Sequence, residues 1–176
     1  MNRRNFLLGI IAGGAAIGAT GIVWLDGKSS SKALSIDASI QTLDKVIKQD
    51  VLTLGDWDLY KILIHCAQSV EFSMLGYPEH KSDLFKNTVG KMAFSVFSAR
   101  QEMTHGLSEA IPGAPSIEER GDINSAYTRF RAAMVKFRHY TGPLAEHFAY
   151  GNLNKQEYEK AHAMHFYNHL LEIETT

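Results

Sequence analysis

Three histidines fall close together near the C-terminus, at His162, His165 and His169. On a helix they share an arc of about 60°. Imidazoles at i and i+4 have Cβ atoms about 5–6 Å apart, close enough to reach one metal ion. Inward-facing histidines without a metal each need a separate hydrogen-bond partner, whereas one cation serves two or three of them. Gln156, Lys160, Ala163 and Tyr167 lie on the opposite side and read as the solvent face, so the arc is expected to point inward. A single helix supplies only part of a site. Catalytic zinc takes three protein ligands and a water, so another ligand must come from a facing element. His65 is the candidate. It sits at the edge of the apolar stripe Leu59, Leu63 and Val70, which suits either a ligand at a cavity mouth or a half-exposed histidine. His165 and His169 also admit a plain reading as packed core residues. His162 reads as a hydrogen-bond partner of a ligand, a fourth ligand or a packed residue. His147 lies in a loop before the last helix. His80, His105 and His139 fall at helix ends or loops, where contact with terminal carbonyls is the ordinary role of a histidine.

Other chemistries find less support. Cys66 follows His65, but adjacent helical residues diverge by about 100°, so they do not form a nucleophile pair. Cys66 lies on an apolar stripe and reads as an inert buried thiol. The sequence holds one cysteine, which excludes an internal disulfide and any multi-cysteine cluster. Glu102-x-x-His105 and Glu159-x-x-His162 match the Glu-x-x-His element of di-iron bundles, yet the stretch from Asp122 to Tyr140 offers no glutamate for such a site. No Gly-x-Ser-x-Gly, phosphate-cradling glycine loop or His-Glu-x-x-His occurs. No residue type assigns a catalytic step.

The elements that must position the histidines read as helices, with no alternation long enough for a sheet. The expected helices cover residues 37–49, a stretch after Gly55 closed by Gly76, residues 82–105 stopped by Gly106, residues 122–140, and a last helix from Asn154 to about 173. Asp56 or Asp58, Ser82 or Asp83, and Asn154 are the expected caps. The stripe Leu59, Ile62, Leu63, Cys66, Val70 and Met74 has a helical period. The connection over 106–121 contains Pro112, Gly113 and Pro115 and is too long for a simple turn, so it either returns the chain or lines a site.

Several segments taken in order resemble a known group. Trp57-x7-His65, then His165-x3-His169-Leu170, is similar to the DinB/YfiT-like bundle proteins. Leu75-Gly76-Tyr77-Pro78, Ile111-Pro112-Gly113-Ala114-Pro115, His147-Phe148-Ala149-Tyr150-Gly151 and Ala161 to Leu170 resemble, more narrowly, the domain of unknown function 1569 within that group. The resemblance covers roughly residues 37–173. It implies an all-α, up-and-down-type bundle of four core helices. The stretch 83–105 departs from that pattern: it reads as an extra helix, an insertion expected to cover the site. It implies one divalent metal, zinc or nickel, held by His65, His165 and His169. Wider relatives include thiol-dependent transferases and isomerases, so a metal-dependent hydrolase or a thiol-dependent transferase acting on a small molecule is the expectation. The alternative is a non-catalytic binding or structural protein.

With 176 residues, the chain has room for one domain and an appendage. The net charge of −1 argues against a partner held by its phosphate backbone, so no nucleic acid is expected. Residues 1–33 read as the appendage. Arg3 and Arg4 precede the apolar, glycine-rich stretch Phe6 to Leu25, which resembles a twin-arginine export signal. The same stretch has roughly the ~20 residues of a membrane helix. The expected location is therefore the periplasm, or the inner membrane if the segment stays uncleaved and serves as an anchor. Residues 34–176 form the expected bundle, for which a homodimer is one allowed assembly. Loss of residues 1–28 leaves a charge of about −3.

Overall fold

The computed structural model describes residues 33–175. The export or anchor segment lies outside the described residues, apart from Ala33 at its end. Among the described residues no helix is long and apolar enough to cross a membrane.

Local sequence sets where each helix begins. Helix α1 (Ile36–Val46) starts at Ser35, whose side-chain oxygen accepts from the Ala38 N–H. Asp37 in its first turn and Lys45 in its last complement the helix dipole. Ile36, Ile40, Leu43 and Val46 recur at helical spacing and are buried. Helix α2 (Leu59–Leu75) is capped by Asp58, which accepts from the Lys61 N–H at 2.9 Å. It stops at Gly76, whose φ of 105° is one that side-chain-bearing residues avoid. Helix α5 (Ile123–His139) is capped by Asp122 and α6 (Lys155–His169) by Asn154. Asn154 and Glu157 exchange side-chain and backbone bonds in a capping box.

Between these lies a bent helical stretch: α3 (Asp83–Phe85), a π-helical turn (Lys86–Gly90) and α4 (Lys91–Arg100). Gly90 is required there, because a Cβ would stand 1.9 Å from the Ala149 carbonyl oxygen. The 147–151 loop therefore lies directly on this turn. Lys86, buried, ties the same loop down through Glu146 at 2.7 Å.

Helix α2 packs along α5 and against α6, and α1 covers both α5 and α6. Their shared core contains Leu43, Ile62, Leu63, Phe130, Phe137, Tyr158 and Phe166. Each large apolar side chain so buried contributes about 1.5–3 kcal/mol against exposure. Helix α4 packs against α6 and projects Phe94 and Phe97 inward. The architecture is all-α in class, with one small addition. Strand β1 (Val51–Thr53) pairs antiparallel with β2 (Ile173–Thr175), with Leu52 opposite Glu174.

Four expectations need correction. The sheet departs from the purely helical expectation, because three-residue strands are too short to show alternation and pair across the whole domain. The last helix ends at His169 and not near 173; a 3-10 turn (Leu170–Glu172) turns the chain into β2. The helix expected to reach residue 105 ends at Arg100, where Gln101 takes a left-handed conformation, φ 57°. Ala163 and Tyr167 are buried, not solvent-facing, because the chain entering α1 covers that side; the Tyr167 hydroxyl reaches the Ala33 carbonyl at 3.3 Å.

Candidate metal centre

Helices α2 and α6 face each other, and their contact brings the first three histidines together. His65 comes from the middle of α2, and His165 and His169 stand one turn apart on α6. His65 Nε2 lies 3.0 Å from His165 Nε2, and His165 Nε2 lies 3.2 Å from His169 Nε2. His65 is only 3% exposed and His169 is fully buried, so the half-exposed reading of His65 does not hold. Its position looked like an edge because α2 is buried on several sides, by α5, by α6 and by the loops that cover its middle.

A fourth histidine joins them. His105 follows the left-handed turn at Gln101, and one ring nitrogen from each of His65, His105, His165 and His169 lies within 4.8 Å of the others. Spacing alone groups His105 with the helix-end histidines, since a loop residue carries no period to reveal its aim. Trp57 walls the group, edge-on to His65 at 5.0 Å and stacked with His169 at 6.1 Å between ring centroids.

Burial keeps these rings neutral. It pushes His65 down to about 3 and His169 down to about 2, and neighbouring imidazoles add to the effect. His165 is held well below the usual histidine range for the same reason, and His105 is lowered by burial. A neutral imidazole with a free lone pair is the form that binds a metal.

The donor set fits a cation. An imidazole nitrogen carries either one hydrogen or one lone pair. His165 Nε2 therefore satisfies only one of the two nitrogens beside it, and the other contact stays unpaired. A cation between the rings accepts all the lone pairs at once. Ligands about 2.0–2.1 Å from a shared metal stand about 2.9–3.4 Å apart in octahedral or tetrahedral arrangements. The observed 3.0 and 3.2 Å fall in that range. The four-histidine cluster can thus hold a metal ion.

A cavity of about 570 Å³ opens onto His65, His105 and His165. Phe97, Met103, Ile111 and Phe148 give it apolar walls, with Ser69, Lys81 and His147 among the polar groups. The 106–121 connection lines it through Glu109 to Pro112.

The remaining candidates stand apart. His162 borders the cavity but bonds Ser73 Oγ at 3.1 Å and stacks on Tyr158. It is a packed histidine outside the cluster. His147 Nδ1 accepts from the Ala149 and Tyr150 N–H groups, 3.1 Å each, so its proton sits on Nε2. His80 and His139 are exposed. Cys66 is buried, and burial pushes its thiol far up, so it is inert. Among the described residues no carboxylate belongs to the histidine cluster; Glu102 is exposed, and Glu159 accepts from the Ile36 N–H.

Residues 28–176 match the family model described as Protein of unknown function (DUF1569). No curated protein and no solved structure matches the chain.

Proposed function

The chain belongs to the DUF1569 family, and for it we propose a mononuclear divalent-metal centre at the inner end of a small-molecule cavity. His65, His165 and His169 are the proposed ligands, within a bundle of the DinB-like kind. Convergence of buried, neutral imidazole nitrogens at 3.0 and 3.2 Å is the observation that carries the reading. Zinc or nickel is the proposed ion.

When bound, such an ion supplies Lewis acidity to a water, thiol or carbonyl that reaches it from the cavity. The chain's own residues do the rest. Phe97, Met103, Ile111 and Phe148 receive an apolar body and exclude bulk water, which strengthens polar contacts at the inner end. His147, with its tautomer fixed by two backbone N–H groups, offers a donor on the cavity wall. A metal-dependent hydrolase or thiol-dependent transferase acting on a small, partly apolar molecule fits this arrangement. The second reading, a non-catalytic metal-stabilised binding protein, is favoured by the fourth histidine, which leaves fewer positions for an outside ligand. Export through the twin-arginine-type segment belongs to the same proposal.

Elemental analysis of purified protein tests the centre. About one divalent ion per chain is expected, and fewer in His169→Ala. Unchanged occupancy in that variant would remove His169 from the ligand set. Spectral change of the cobalt-loaded protein on adding a small aromatic thiol supports the catalytic reading; no change supports the second.

A further inference from the structure

We infer that His105 is a fourth ligand of the metal, and that Asn168 is the positioning residue that fixes its tautomer and aim. This deepens the proposed metal centre and rests on it.

The argument starts from a hydrogen bond whose direction is fixed. The backbone N–H of His105 points at the side chain of Asn168, 3.2 Å away. A backbone N–H only donates, so the Asn168 atom facing it is the amide oxygen. The same oxygen stands 2.6 Å from His105 Nδ1. An amide oxygen only accepts, so Nδ1 carries the proton. In the neutral ring the lone pair is then left on Nε2.

His105 Nε2 is buried and has no hydrogen-bond partner among the described residues. An isolated buried acceptor of that kind is costly, and native structures rarely leave one without a reason. One ring nitrogen of His105 lies within 4.8 Å of one from each of His65, His165 and His169, and with Nδ1 engaged by Asn168 it is Nε2 that is free to serve. The His105 ring meets His165 at 4.7 Å and 61°, and His169 at 5.0 Å and 87°. Imidazoles arranged around one ion meet edge to face in this way, because each points its nitrogen, not its face, at the centre.

Asn168 is 5% exposed and adjoins His169 on α6. One helix thus supplies two ligands and the amide that orients another. Hydrogen bonding behind a ligating histidine fixes its ring and raises its basicity. His105 lies on the cavity side of the cluster and His169 does not border the cavity. An outside molecule therefore meets the metal beside His105, carried by the same loop that lines the cavity.

The test loads wild-type protein, His105→Ala, Asn168→Leu and Asn168→Asp with cobalt(II). It reads the visible ligand-field spectrum and the affinity against a competing chelator. Far-ultraviolet circular dichroism confirms that each variant is folded. His105→Ala is expected to change the band shape and intensity and to bind at least about tenfold more weakly. Asn168→Leu is expected to weaken binding about 10–100-fold with the same direction of spectral change. Asn168→Asp keeps an acceptor oxygen and is expected to restore the wild-type spectrum. A His105→Ala spectrum and affinity equal to wild type, alongside metal loss in His169→Ala, overturns this inference and leaves the three-histidine centre standing. Wild-type protein that takes up no cobalt overturns both.

Discussion

Acid should unfold the metal-free chain unusually early. Burial lowers His65, His147 and His162 to about 3 and His169 to about 2, and holds His165 well below its usual range. In the unfolded chain the same groups titrate near 6.5. Their folded values are depressed, so their contribution to stability is complete above pH 6.5. It is lost as the pH falls toward the folded values, because only the unfolded chain takes up the protons. At pH 5.5 each such group has cost the fold about 1.4 kcal/mol, and five together cost about 7 kcal/mol. A whole domain is stable by only about 5–15 kcal/mol. Chelator-treated protein should therefore lose its helical circular dichroism between about pH 5.5 and 4.5. Saturating zinc should move the midpoint to lower pH, since the ion binds the folded state. A metal-free chain that stays folded at pH 4 would refute the reasoning: the rings would then be taking up protons within the fold, or would not be buried as described.

Other predictions concern the frame around the site. Gly90→Ala places a methyl against the Ala149 carbonyl and should destabilise by about 1–3 kcal/mol, read as a lower Tm in thermal unfolding. Cys66→Ser buries a hydroxyl on an apolar stripe. It should cost about 1–3 kcal/mol in denaturant unfolding, while metal content per folded chain stays at the wild-type value. Asn154→Ala breaks the capping box of α6 and should cost about 1 kcal/mol, seen as a lower denaturant midpoint at unchanged slope.

Much of the site was legible because it is periodic. His165 and His169 share a helical face and Asn154 marks where that helix begins, so spacing pairs them; their role as ligands rests on the resemblance, because Ala163 and Tyr167, on the side expected to face solvent, are buried too. Asp58 and Gly76 likewise bound α2 and place His65 near its middle. The parts that were missed depend on contacts between distant segments. His105 reaches the cluster because Gln101, a residue with no special preference for left-handed φ, reverses the chain after α4. Its partner Asn168 is 63 residues away, and nothing local to either announces the bond. Strands β1 and β2 join the two ends of the domain in a three-residue ladder, too short to carry a pattern. For His162 spacing left several roles open, since it shares the ligand arc; its bond to Ser73 on α2 selects the packed one.

X-ray absorption at the metal edge of the zinc-loaded protein tests the central claim most directly. The account predicts a first shell dominated by nitrogen at about 2.0–2.1 Å, with the outer-shell scattering of three or more imidazoles. A first shell of sulfur, or one of oxygen without imidazole scattering, would contradict it.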